Sequence, residues 1–234
     1  MLVFDGQGVF GLGVGLAGFD LDTGAETWTT ELTGCSRMSV LRGGLVQLVH
    51  SDCAGYRDTD LLDRTGRAIA GTDHAGVQSL SIDRPADDTV PVLLADGARD
   101  RRTGELVWST PDLVTAGGGK DGTAVAVVGD TALLRDHIVH TMTGLDMRTG
   151  QRKWQVLTER GGTAAGWDGH VVVFADSQGL WAIDPGTGAT AWEIPFAAVD
   201  TKAESFSGEG QLTAPSKGHY FYASAHTLLA LRPL

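Results

Sequence analysis

Short apolar runs of strand length recur along the whole chain, each closed off by a cluster of Gly, Asp, Ser or Thr. Residues 44–49, 90–94, 123–128, 171–175 and 220–224 are clear examples. None of them continues with the i, i+3, i+4 spacing of an amphipathic helix, and no helix-length stretch lies between them. The pattern predicts an all-β chain built from hairpins.

One hairpin is written repeatedly. Residues 18–28 (GFDLDTGAETW) return as 98–108, 144–154 and 182–192. The four copies align as Asp20/Thr23/Gly24/Trp28, Asp100/Thr103/Gly104/Trp108, Asp146/Thr149/Gly150/Trp154 and Asp184/Thr187/Gly188/Trp192. A fifth, Asp63/Thr65/Gly66, has a turn one residue shorter and Ala70 in the Trp position. A sixth ends the chain with Arg232 in the Asp position. The Asp carboxylate suits an Asx turn, accepting backbone N–H groups two and three residues on. Thr repeats this more weakly, and Gly supplies the positive φ that returns the chain to a strand through a bulge. A Trp at one fixed offset is expected to fill the gap between neighbouring sheets.

Successive turn positions lie 37 to 48 residues apart. Several short strands per period of about forty residues point to propeller blades. The expected fold is an all-β propeller, one domain over 1–234, of about six four-stranded antiparallel blades: 1–34, 35–71, 72–110, 111–157, 158–193 and 194–234. The last blade is expected to be incomplete, because the outer strand with its Trp is missing.

A run of the form A-x-D-x-x-T-G-x-x-x-W resembles the repeat of PQQ-like (pyrroloquinoline quinone-like) β-propellers. Those include quinoprotein dehydrogenases, BamB-type outer-membrane assembly lipoproteins and actinobacterial envelope proteins. The resemblance implies a propeller whose motif residues are structural. It further implies a non-catalytic scaffold for protein–protein interaction at the bacterial cell envelope. The alternative is a PQQ- or ligand-binding sensor ectodomain, or the remnant of a quinoprotein-like oxidoreductase. The family's enzymes hold calcium and PQQ with an amide ligand and an adjacent-cysteine disulfide. This chain has no Asn and no Cys-Cys pair, so no catalytic, cofactor or metal residue is expected and no cofactor is assigned.

Composition narrows the partners. The net charge of −11 is unsuited to a phosphate backbone or an anionic lipid surface, so neither nucleic acid nor membrane insertion is expected. A protein partner and a monomeric domain are the expectation. Absent Asn, few Lys and Ile, and abundant Ala, Gly and Arg suggest a high-GC bacterial source. The first residues carry no signal peptide. An extracytoplasmic placement therefore implies a signal or anchor outside this chain, and a cytoplasmic one stays open. Cys35 and Cys53 flank a hairpin in the second unit. A bridge between them, stabilising by ~3 kcal/mol, is expected in an oxidising compartment, the alternative being two buried thiols.

Four local motifs imitate functional sites. Residues 13–18 spell G-x-G-x-x-G, but the third Gly leads into a strand rather than a helix. Residues 117–122 (GGGKDG) lack the Ser or Thr of a phosphate loop and read as a surface loop. Asp58, Asp60 and Asp63 resemble a calcium loop, but the intervening Leu61-Leu62 is apolar and the fixed Gly of such a loop is missing. His137 and His140, read as strand residues, point to opposite faces and cannot share a metal. The stretch 83–88 is expected to be a solvated turn, and 194–210 an excursion facing a ligand or partner.

Overall fold

The computed structural model describes residues 2–4, 6–11, 15–31, 37–41, 45–51, 57–72, 78, 80–94, 97–114, 122–195, 211–216, 218–223 and 228–232. Cys35, Cys53, the glycine-rich loop at 117–121 and the stretch 196–210 lie outside them. The chain forms two compact units. One comprises Met1–Gln78, Asp87–Val114 and Gly118–Gly122, the other Ser79–Ala86, Thr115–Gly117 and Thr123–Leu234.

In the first unit, β1 (Leu2–Phe4), β2 (Gln7–Gly11), β3 (Gly15–Asp20) and β4 (Glu26–Glu31) form a four-stranded antiparallel meander. A second meander contains β5 (Arg37–Leu41), β6 (Leu45–Ser51), β7 (Arg57–Leu62) and β8 (Ala68–Thr72). A third sheet holds β10 (Val92–Leu94), β11 (Gly97–Arg99) and β12 (Leu106–Trp108). Successive side chains point to opposite faces of a strand, so adjacent apolar residues such as Leu45 and Val46 are buried against different sheets. Val9, Leu16 and Trp28 meet Val46, Leu48 and Leu62 between the first and second sheets. Leu45 and Leu61 meet Val92 and Leu94 between the second and third.

The second unit repeats the scheme. β13 (Ala124–Gly129), β14 (Thr131–Asp136), β15 (Thr141–Asp146) and β16 (Arg152–Leu157) form a meander, followed by β17 (Thr163–Trp167), β18 (Val172–Asp176), β19 (Gly179–Ile183) and β20 (Thr190–Pro195). The last sheet is β21 (Gln211–Ser216), β22 (His219–Ala223) and β23 (Leu228–Leu231). Ala126, Leu133 and Met142 pack on Val172, Phe174 and Trp181. Val173, Leu180 and Ala182 pack on Tyr220 and Tyr222.

Two departures from the expected blades concern β9 (Ile82–Pro85). It does not join the third sheet, which has three strands among the described residues. Instead it runs parallel to β13 and makes the fourth sheet five-stranded, with Ile82 opposite Ala126 and Pro85 opposite Gly129. Ile82 is buried in the core shared with Val128 and Phe174, which draws the segment there. Pro85, with no N–H to donate, is tolerated because β9 is an edge strand. The stretch 83–88 is thus part strand, not a solvated turn throughout; only Asp87 onward turns, with Thr89 donating its amide to Asp87 at 2.8 Å.

His137 and His140 also differ from the strand reading. They sit in the exposed four-residue turn joining β14 to β15, where His140 adopts φ 53°. Asp136 shapes that turn by accepting the Ile138 amide at 2.8 Å. No helix among the described residues is long and apolar enough to cross a membrane.

Candidate functional site

The repeated turns follow one design. Asp20 Oδ1 accepts the amides of Asp22 (3.1 Å) and Thr23 (2.8 Å) and the Thr23 hydroxyl (2.7 Å). Asp100 accepts from Arg102 and Thr103, both at 2.8 Å. Asp146 accepts from Arg148 (3.0 Å) and Thr149 (2.9 Å), and Asp184 from Gly186 (2.7 Å) and Thr187 (3.2 Å). In each copy the turn glycine donates its amide to the Asp carbonyl: Gly24, Gly150 and Gly188 at 2.8 Å, Gly104 at 3.0 Å. Their φ values of 70° to 73° are why glycine stands there. The short copy keeps the logic: Asp63 accepts the Thr65 amide at 2.8 Å and the Thr65 hydroxyl at 2.6 Å, with Gly66 at φ 75°.

Charge follows geometry. The Thr23 hydroxyl and amide hold Asp20 below the usual carboxylate range. The Thr103 and Arg102 amides do so for Asp100. At Asp63 and Asp146 burial pushes the pKa up, but hydrogen bonds from Thr65 and Thr149, the Arg67 and Arg148 amides and the nearby Arg67 and Lys153 charges together bring the result lower. These carboxylates are committed to their own turns.

Each turn ends in a bulge that sets the Trp register. Trp28 pairs with Gly18, Trp108 with Ala98, Trp154 with Gly144 and Trp192 with Ala182. The small residue makes room for the ring: a Cβ on Gly18 or Gly144 collides with the indole opposite. The ring then reaches the next sheet. A Cβ on Gly66 meets the Trp28 ring at 2.6 Å, and one on Gly188 meets Trp154. Trp154 Nε1 donates to the Pro185 carbonyl at 2.9 Å. Trp192 lies 5.4 Å from the Tyr220 ring. The indoles of Trp28, Trp154 and Trp192 are therefore wedges between consecutive sheets, each seated on the following turn or strand.

Two polar clusters in the second unit were not singled out in the sequence. Arg160 grips Asp176 with Nε at 2.7 Å and Nη2 at 3.0 Å, reaches Glu193 at 3.3 Å and lies 5.5 Å over Trp181. Asp176 Oδ1 also accepts the amides of Gln178 and Gly179. Tyr220 donates to Asp168 Oδ2 at 2.6 Å, and the Gly218 amide donates to the same oxygen at 3.2 Å. Burial raises the Asp168 pKa but the Tyr220 hydroxyl and neighbouring amides lower it further, while burial and Asp168 raise that of Tyr220. The signal for both was an Asp opening a short turn, Asp168 directly before Gly169 and Asp176 three residues before Gly179, which is too common to stand out. Both clusters pin loops to sheets.

A cavity of about 380 Å³ opens in the first unit, lined by Leu45, Asp63, Arg64, Ile69, Asp88, Arg101 and Arg102. Arg101 is only 6% exposed, with Nε donating to the Val90 carbonyl at 2.6 Å. Among the described residues no cluster of His, Cys, Asp and Glu is arranged to hold a metal ion.

A family model described as outer membrane protein assembly factor BamB matches residues 16–231. No curated protein matches the chain by sequence. Among solved structures, BamB from Moraxella catarrhalis is similar at 20% identity and a TM-score of 0.60, over 94% of this chain and 67% of that one. The computationally designed Ika8 protein is similar at 15% identity and a TM-score of 0.63, over 100% of this chain and 70% of that one. Hsv2 from Kluyveromyces lactis is similar at 11% identity and a TM-score of 0.56, over 95% and 75%.

Proposed function

The chain belongs to the family of the outer membrane protein assembly factor BamB, and on that premise we propose that it is a non-catalytic β-propeller scaffold engaging a protein partner at the bacterial cell envelope. The observation that carries this reading is the employment of the motif side chains. The Asp, Thr and Gly of the first five copies are consumed in turn hydrogen bonds, and the Trp rings of three copies in packing between sheets. Recognition then falls to what faces solvent. The sheet edges β16 and β20 are largely exposed, and Leu157 is 82% exposed. An edge strand offers unpaired backbone groups to an extended segment of a partner. With a net charge of −11, that partner contributes a neutral or basic face.

Photocrosslinking in the native host tests this. A crosslinking amino acid replaces Leu157, or Thr190 on β20, and the envelope and soluble fractions are separated. The expected result is a discrete adduct with a component of a membrane-protein assembly complex, recovered from the envelope fraction. A protein found wholly in the cytosolic fraction, with no adduct from either edge, overturns the reading.

A further inference from the structure

The cavity occupies a particular place in the repeat. Between the first and second sheets the space is closed by Trp28 on Gly66, and between the fourth and fifth by Trp154 on Gly188. Between the second and third sheets the described residues supply no such ring, because Ala70 stands at the Trp position of β8. The strand opposite compensates in part: Leu61, fully buried, is the register partner of Ala70 where other copies have Gly or Ala. That moves bulk toward β7 and leaves room beside the turns.

The walls of that room are unusual for this chain. Arg101 follows the turn Asp100 as Pro185 follows Asp184, the very residue whose carbonyl receives the Trp154 N–H. Arg101 and Arg102 thus stand where a wedge from the second sheet would land. Arg64, at the equivalent place in the preceding turn, lines the same cavity, and Leu45 and Ile69 give it an aliphatic side. Three arginines against Asp63 and Asp88 leave the lining net positive within a molecule of charge −11. Asp63 Oδ1 is already held by the Thr65 and Arg67 amides. The volume lies within the range of small-molecule sites, roughly 300–1,000 Å³.

We infer that this cavity is a binding site for a small aromatic carboxylate, whose ring lies against Leu45 and Ile69 where other sheets receive an indole, and whose anionic group meets the guanidinium groups of Arg64 and Arg102. Arginine suits the role because its planar fork matches a carboxylate and its face accepts an aromatic ring. Anchoring of the Arg101 Nε on Val90 fixes one wall before any ligand arrives. The site is independent of the scaffold reading, since it involves neither sheet edge.

Calorimetric titration with indole-3-acetate tests the inference, with indole-3-acetamide as the uncharged probe of the same shape. Saturable binding of the carboxylate is expected, weakened at least about tenfold for the amide and for Arg102→Glu. Arg152→Glu, on exposed β16, carries the same charge change and should bind as the parent does. Ile69→Phe, which fills the aliphatic side, should abolish binding; thermal melts verify that each variant is folded. Equal affinity for acid and amide, equal losses in the Arg102 and Arg152 variants, or no saturable heat up to roughly 10 mM each overturns the site.

Discussion

At the residue scale the fold rests on an exchange between a ring and two glycines. Trp154 lies over Gly144 of its own sheet and against Gly188 of the next, and its N–H is satisfied by Pro185. Removing the ring leaves a void between sheets and an unpaired carbonyl, so Trp154→Ala should cost about 3 kcal/mol in urea unfolding, the low end because the indole is only partly buried. Gly144→Val attacks the same contact from below; it should destabilise comparably and shift tryptophan emission to the red as the indole is pushed into water. Asp146 tests the turn. Asp146→Ala removes the acceptor for the Arg148 and Thr149 amides, and a loss of about 1–2 kcal/mol by thermal melting is expected. Trp28 makes a contrast: its Nε1 is buried without a partner among the described residues, and the Arg64 carbonyl, at the place equivalent to Pro185, accepts from Gln7 Nε2.

At the element scale the informative strand is β9. Its sequence, Ile-Asp-Arg-Pro, has neither the length nor the alternation of a strand, and the reading of 83–88 as a turn followed from that. Its strand character comes from β13, whose free edge pairs with it through the bonds Ser81 N–H to Val125 O (2.9 Å) and Ala86 N–H to Gly129 O (3.0 Å). Burial of Ile82 holds the pairing. Ile82→Ala should cost about 2 kcal/mol and speed hydrogen exchange selectively at the β13 amides that face β9. Unchanged exchange there would mean that β9 contributes nothing to the edge.

At the scale of the whole molecule, stability should depend on pH at both ends. Asp63, Asp100, Asp146 and Asp168 all have lowered pKa values when folded. A lowered value means that the unfolded chain binds protons first as pH falls. Their stabilisation is therefore complete above about pH 4 and is lost below it, as pH passes through the folded values. Tyr220 is raised, so its contribution holds below about pH 10 and fades as pH rises further. Urea midpoints measured from acid to alkali should give a plateau falling at both ends, and Tyr220→Phe should flatten the alkaline limb specifically.

The hairpin design was open to reading from residue order alone. Asp, Thr, Gly and Trp act over a few residues, so their offsets dictate an Asx turn, a positive φ and a bulge wherever they occur, and every complete copy has that geometry. Three things were decided only in three dimensions. The partner of β9 depends on a strand edge some forty residues away in sequence. The ties of Arg160 to Asp176 and Tyr220 to Asp168 depend on which loops meet. The cavity at Arg101 depends on how the turns at Asp63 and Asp100 come to face each other beside Leu45 and Ile69. Local turn chemistry is fixed by neighbours in the chain, whereas burial, edge pairing and empty volume are properties of packed surfaces and exist only once the sheets have met.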